Sequence, residues 1–398
     1  MGHVFGLAFI FLNKKVFMSN AQIKITLKDI FYSEGPLKIK ILKAVDLLIG
    51  AGWAWILEPK EKNRRLPTKI KKILIIRPGG IGDAIFLIPI IKKLKAERPA
   101  LEIDILCERR NCEVFLLLQS QLRQIYCYDE FNELFEVFRN AYDVVVDSEQ
   151  WHHFSGICSY YATASYTIGF ATRPVRAKFY DAAIDYQRDG YELDNFSELF
   201  SSLLFERPFT EQIDGCLTLD ADVSRWAEVR VPRESIAIFL GASIAIRRLN
   251  FQQIEKIIFY VIEQNRHVIL LGGSDVLNVG LDLEKKFPTN KLSSFVGKTT
   301  LKESAALIQK TSLFIGPDSG LLHLACSIGT PVIAIFGPGN IKKWQPKSNR
   351  HFLVTEDLEC APCTRFGYTI PTCHGRFDCM KNISGEKIIK HINIKESV

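Results

Sequence analysis

From Lys72 onward, short unbroken apolar runs alternate with stretches whose apolar residues recur every three or four positions. The runs "KILIIR" (72–77), "LEIDILCE" (101–108), "QIYCYD" (124–129) and "YDVVVDSE" (142–149) predict strands. "DAIFLIPIIKKLKAERP" (83–99) predicts helix, which Pro89 should kink or restart. "GYELDNFSELFSSLLF" (190–205) predicts another. After Pro232 the alternation begins again. "SIAIFLGAS" (235–243), "HVILLGGSD" (267–275), "LFIGPDSG" (313–320) and "PVIAIFGP" (331–338) predict strands and their turns. "FQQIEKIIFYVIEQN" (251–265), "KESAALIQKT" (302–311) and "LLHLACSIG" (321–329) predict helices. Strands apolar on both faces, alternating with helices, form parallel sheets covered on both sides. The expectation is an α/β protein of two Rossmann-like domains, residues 71–230 and 231–398, joined near Arg230. Ligands in such sheets bind at the carboxyl ends of strands, so the cleft between the domains is the expected site.

Residues 1–70 do not share this pattern. "PLKIKILKAVDLLIGAGWAWIL" (36–57) places Ile41, Val45, Leu48, Ile49, Trp53 and Ile56 at helical spacing. "EPKEKNRRLPTKIKK" (58–72) follows with seven basic residues and two acidic. Two readings stand: a monotopic anchor on an anionic leaflet, or a helix packed on the main body with a solvated linker. The opening "HVFGLAFIFLNKKVFM" has a short apolar core without a preceding basic stretch or a following small-residue cleavage site. No secretory signal or membrane span is therefore expected, and a cytoplasmic protein is.

With 398 residues, 47% apolar and 24% charged, the chain can bury cores for two domains. A net charge of +7 suits an acidic partner such as a phosphorylated sugar, a nucleotide or an anionic membrane face. No basic stripe studded with aromatics stands out, so nucleic acid is not expected.

"RPGGIGD" (77–83) admits three readings. A nucleotide P-loop needs Lys and Ser or Thr after its last glycine, where Asp83 and Ala84 stand. A dinucleotide fingerprint fits Gly80 and Gly82 but meets Ile85 at its third glycine, although Glu108 could mimic the ribose-binding acid. In the third, glycines bend the backbone close to a ligand and Asp83 opens a helix at the cleft. The helix dipole then keeps its carboxylate charged, which suits a general base; the plainer account is an N-cap.

A second constellation lies in "FIGPDSGLLHLACSIGTPVIAIFGP" (314–338). Asp318, Ser319 and Gly320 turn into a helix whose free amides suit a diphosphate. Asp318 would accept from sugar hydroxyls, and His323 lies one turn in, as a support for the turn or as a core histidine. In "GASIAIRRLNF" (241–251), Gly241 and Ser243 follow a strand, and Arg247 and Arg248 precede a helix at a height to reach a diphosphate.

Together these residues resemble glycosyltransferase family 9, the ADP-heptose:lipopolysaccharide heptosyltransferases, from about Lys72 to Lys387. The resemblance implies the GT-B architecture, two Rossmann-like domains facing across a cleft. Residues 71–230 would bind the acceptor and 231–398 the nucleotide sugar. It implies transfer of a heptose from ADP-heptose to a lipopolysaccharide inner-core acceptor, with inversion and without a required cofactor. Asp83 would be the general base. Asp318, Ser319, Gly320 and His323 would form the donor-phosphate turn, and Arg247 would match the family's basic residue, with "RRLN" replacing the usual basic-x-Trp-Pro. Arg77, Gly80 and Gly82 fall on the acceptor side, and Arg173, Arg176 and Lys178 are candidates for an anionic acceptor. Other readings are the same fold using another nucleotide sugar, and a non-catalytic nucleotide-sugar-binding protein. A dehydrogenase would bind nicotinamide through Gly80 and Glu108.

Ten cysteines are too dilute for a disulfide scaffold. Six are read as single, small core residues. Cys360, Cys363, Cys373 and Cys379 cluster in "CAPCTRFGYTIPTCHGRFDC", where a structural zinc is weighed against a spacing looser than usual.

Overall fold

The computed structural model describes residues 27–33, 37–60, 64–205, 209, 211–365, 368–370, 373 and 375–396. The opening apolar stretch lies outside the described residues. The first sheet holds β1 (Lys72–Arg77), β2 (Glu102–Cys107), β3 (Gln124–Cys127), β4 (Ala141–Asp147), β5 (Thr163–Phe170) and β6 (Ala182–Ile184). The second holds β7 (Ile236–Phe239), β8 (Val268–Leu271), β9 (Leu292–Ser294), β10 (Leu313–Pro317), β11 (Val332–Phe336) and β12 (His351–Thr355). Their orders, β3-β2-β1-β4-β5-β6 and β12-β11-β10-β7-β8-β9, are the same doubly wound pattern. All pairings within both sheets are parallel. The central strands are fully buried: Ile73–Ile76, Val144–Val146, Ile236–Ile238 and Leu313–Ile315. Unbroken apolar runs form such strands because helices cover both faces.

The helices that concern the site are numbered in chain order. An N-terminal arm holds α1 (Leu27–Tyr32), α2 (Leu37–Val45) and α3 (Ala51–Ile56). A π turn, Asp46–Gly50, joins α2 to α3 without a break. After β1 come α4 (Ile81–Ile85) and α5 (Ile88–Glu97), and after β2 comes α6 (Arg109–Leu116). Pro89 stands in the first turn of α5, where its missing N–H costs nothing; it starts a second helix rather than kinking one. Beyond β6 are α7 (Ala221–Glu228), α8 (Phe251–Glu263), α9 (Leu301–Gln309), α10 (Gly320–Ser327), α11 (Ile341–Trp344) and α12 (Gly385–Glu396).

The chain reaches the second layer before Pro232. In α7 and the residue that precedes it, Ser224, Glu228 and Asp220 bond to Gln309, Lys310 and Lys302 in and beside α9. Asp46 fastens the arm: its carboxylate accepts from the N–H groups of His153 (3.0 Å) and Phe154 (2.8 Å), at the start of the helix His153–Tyr161. Ile30 and Ala44 are buried there against Trp151 and Tyr368. The other side of the arm leaves Leu48, Ile49, Trp53, Trp55 and Ile56 exposed. Among the described residues no helix is long and apolar enough to cross a membrane.

Candidate active site

β1 delivers "RPGGIGD" to its carboxyl end. Gly79 has φ +112°, a conformation other residues adopt only with strain. The N-cap of α4 is Gly80, so Asp83 is the third residue of the helix rather than its first or its cap. The Asp83 carboxylate folds over Gly80, where a Cβ would lie 3.0 Å from its Oδ2.

Arg77 does not project into the cleft. It is 1% exposed and donates to Pro78 O (2.7 Å), Ser148 O (2.7 Å) and Glu149 Oε2 (2.6 Å). Burial works against its charge, but Glu149 and then Asp83 hold it protonated. Glu149, for its part, is pulled down to about 2: burial opposes this, and Arg77 is the largest cause that favours it. Arg77 is therefore a brace beneath the loop. Arg176 is buried in the same way, donating to Asp147 Oδ2 (2.9 Å), Glu149 O (2.8 Å) and Tyr180 OH (2.6 Å). Neither guanidinium is presented to an acceptor. Arg173 stacks 3.3 Å over the Trp151 ring. Lys178 is half-buried, and its carbonyl accepts from Lys60 N (3.1 Å).

In the second domain, β10 ends in Pro317 and the turn follows. Ser319 is the N-cap of α10, its hydroxyl accepting from Leu322 N at 3.4 Å. Asp318 is buried and pairs with Arg247 (Nη1 to Oδ2, 3.0 Å). Arg247 also donates to Asp318 O and to Thr364 Oγ1, each at 3.4 Å. Gly339 makes room, since a Cβ there would strike the Asp318 carboxylate. The ion pair leaves the turn without net side-chain charge, so the amides and dipole of α10 set its preference for an anion. Arg248 instead turns to Asp275 and to Ala242 O (3.4 Å). The two neighbouring arginines are thus distinguished: only Arg247 lies on the turn. Gly241 is buried against Phe239, and Ser243 is exposed.

The two constellations meet. α4 packs directly on α10: a Cβ on Gly320 would lie 2.7 Å from Ile81 Cβ, and one on Gly82 would lie 3.1 Å from His323 Cδ2. His323 stands edge-on to Phe86 at 5.1 Å, tilted against Trp344 at 5.9 Å, and Nε2 is 4.0 Å from Asp318 Oδ1. Burial lowers it to about 4, against the pull of Asp318 and Asp83. The imidazole is neutral near pH 7 and serves as packing between the loops.

Sequence reasoning passed over several residues. Lys343 of α11 reaches across the cleft to Tyr186 and to Glu192 Oε2 (3.2 Å). Glu113 of α6 accepts from Leu301 N at the start of α9 (2.7 Å). Neither forms a motif, because each partner is remote in the chain. The reading of six isolated core cysteines is corrected for three: the sulfur atoms of Cys107, Cys112 and Cys127 lie within 4.8 Å of one another. No other group of three or more metal-ligating side chains gathers this closely among the described residues. The thiols of Cys360, Cys363, Cys373 and Cys379 are neighbours without any three converging; burial, then Cys379, Cys373 and Cys360, push Cys363 up to about 11.

Comparison with known proteins places this geometry. A family model described as glycosyltransferase family 9 (heptosyltransferase) matches residues 133–373. Lipooligosaccharide heptosyltransferase 2 of Campylobacter jejuni is 36% identical over 103 residues, 26% of this chain and only 31% of that relative's length. Lipopolysaccharide heptosyltransferase 3 of Escherichia coli is 23% identical over 292 residues, covering 67% of this chain and 84% of the relative. The solved E. coli ADP-heptose lps heptosyltransferase II has the same fold, with TM-score 0.64 and 16% identity over 82% of this chain and all of that one.

Proposed function

The chain belongs to glycosyltransferase family 9, and from this premise we propose that it transfers a heptose from ADP-heptose to an inner-core sugar of lipopolysaccharide, with inversion. The observation that carries the reading is the direct meeting of the Asp83 loop and the amide-rich turn Asp318–Gly320 across the two domains. In this mechanism the Asp83 carboxylate takes the proton of an acceptor hydroxyl. The oxygen attacks the anomeric carbon from the face opposite the leaving group, and the bond to the diphosphate breaks. ADP departs with its new charge facing the α10 amides and Arg247. Glu149 and Arg77 keep the loop in shape behind Asp83.

A general base contributes roughly 10²–10⁴-fold. Asp83→Ala should lower kcat for ADP release by that factor while calorimetric affinity for ADP-heptose stays within about twofold. Full activity in the variant overturns the assignment, and failure of the wild type to release ADP with any core acceptor overturns the enzyme reading.

The same proposal includes a peripheral position on the inner face of the cytoplasmic membrane. The exposed apolar side of the arm and the exposed Arg64 and Arg65 beyond it support this. A structural zinc at Cys360, Cys363, Cys373 and Cys379 is a separate element, supported by the four thiols in one segment. Metal analysis of the chain before and after Cys360→Ser tests it.

A further inference from the structure

Three cysteines of the first domain converge at the carboxyl ends of β2 and β3. Cys107 ends β2 and Cys127 ends β3, and the parallel register sets them side by side. Cys112 comes back to them from the first turns of α6, five residues after Cys107. Two backbone features fix this return. Glu108 and Asn111 form a capping box that starts α6, and Cys112 N donates to Glu108 O at 3.0 Å. Cys127 is held by its own N–H, which donates to Glu133 Oε2 at 2.6 Å. The result is three sulfur atoms within 4.8 Å of one another, Cys107 buried and the other two half-buried.

We propose that Cys107, Cys112 and Cys127 form a binding site for one thiophilic metal ion, with zinc(II) as its representative. Zinc–sulfur bonds of about 2.3 Å in a tetrahedral arrangement separate the sulfurs by about 3.8 Å. Sulfurs that already lie within 4.8 Å of one another stand at most about 1 Å beyond that spacing. Binding releases the thiol protons and leaves a fourth position for water, since Cys112 and Cys127 are open to solvent on one side. A disulfide would use two of the sulfurs and strand the third, whereas a metal ion uses all three.

The position gives the ion a structural consequence. Cys107 is the register partner of Arg77, the brace under the Asp83 loop. The Asn111 side chain, one residue before Cys112, donates to Arg77 O at 3.0 Å. Glu113, one residue after, accepts from Leu301 N of the second domain. An ion that ties Cys112 to the ends of β2 and β3 therefore fixes a helix touching both the loop and the opposite domain.

The test uses the full chain, reduced and stripped of metal, titrated with cobalt(II) and then with zinc(II) against a chromophoric chelator. Thiolate-bound cobalt shows a sulfur-to-metal charge-transfer band. The titration is run in the Cys360→Ser background, so that the C-terminal thiols add no second site. The expected result is one equivalent that is lost on adding Cys112→Ser or Cys127→Ala and accompanied by a rise in the thermal midpoint with zinc only where the trio is intact. Circular dichroism of the variants establishes that the loss is not unfolding. Three results overturn the proposal: no thiolate-bound cobalt in the Cys360→Ser protein, the same equivalent once Cys112→Ser is added to it, or peptide mapping under non-reducing conditions that finds a disulfide within the trio.

Discussion

His323 shows how a residue that looks chemical in the sequence is put to structural use. Wedged between Phe86 and Trp344, it is lowered to about 4 by burial. The unfolded chain binds a proton on this ring near pH 6.5, and the folded chain does not until about pH 4. Between those values the unfolded state holds more protons, so stability falls as pH drops. The contribution is of order 3 kcal/mol, fully present above the unfolded value and gone below the folded one. His323→Gln should flatten the decline of the thermal midpoint between pH 6.5 and 4 relative to the wild type; an unaltered slope would show that the ring is charged in the fold. Gly320 makes a second residue-scale prediction. Alanine there would place a Cβ 2.6 Å from Ile81 Cγ2, pushing α4 and Asp83 away from the donor turn. A displacement of this size costs about 10²-fold in turnover, and a steady-state assay of Gly320→Ala that matches wild type would refute the tight approach. At this scale the sequence spoke plainly where chemistry is local: "GGIGD" and "PDSG" announce tight loops at strand ends. It offered Arg77 and Arg176 to an anionic acceptor, whereas the fold buries both. Their interior acceptors, Ser148, Glu149 and Asp147, lie far off in the chain.

Among the elements, strands buried on both faces were legible because an unbroken apolar run has few other uses. "TASYTIGF" and "HFLVT" were not, since half of the first and all but Val354 of the second face partly open surroundings and their pattern breaks. "AAI" and "LSS" are too short to show any pattern. The arm was legible as helical, but its π turn was not, because Asp46 is drawn there by amides of a helix more than a hundred residues away. One side of the arm packs on the body through Asp46, Ile30 and Ala44, as the packed-helix reading expects, and the other turns Trp53 and Trp55 outward at 50% and 76% exposure, the side a membrane anchor would use. Tyr161 continues the outward surface beside Trp53, ring to ring at 6.5 Å. A contiguous exposed apolar surface of this kind marks an interaction site, and tryptophans beside basic residues suit a lipid interface. Trp53→Ser with Trp55→Ser should cut co-sedimentation with anionic vesicles severalfold while leaving turnover on a soluble acceptor unchanged. Added salt should weaken wild-type binding in parallel, through screening of the basic residues. Equal vesicle binding by the double variant would exclude the arm as the membrane-facing side.

At the level of the whole molecule, the two doubly wound domains are pressed into a shared core across the cleft, in which Ile85 and Phe86 join Leu322 and Leu324. A sequence can announce two sheets, but not how tightly they close, because closure rests on single pairs of distant residues. Lys343 and Glu192 are such a pair, 8% and 0% exposed, with Nζ 3.2 Å from Oε2. Glu192 is further held by Tyr186 OH (2.8 Å), Gln150 and Asn195, all in the first domain, so Lys343 is the second domain's handle on a preformed acidic socket. Removing the lysine alone strands a buried carboxylate, a loss of about 3–5 kcal/mol, whereas removing both charges leaves neutral groups that pack at little cost. Lys343→Met should therefore lower the thermal midpoint and increase the radius of gyration in solution scattering as the domains part. The double variant with Glu192→Gln should recover most of the midpoint, a coupling that a double-mutant cycle reads directly. If the two substitutions add independently, the pair does not hold the domains together, and closure must be carried by the other contacts between them, the packing of α4 on α10 and the bond from Leu301 N to Glu113.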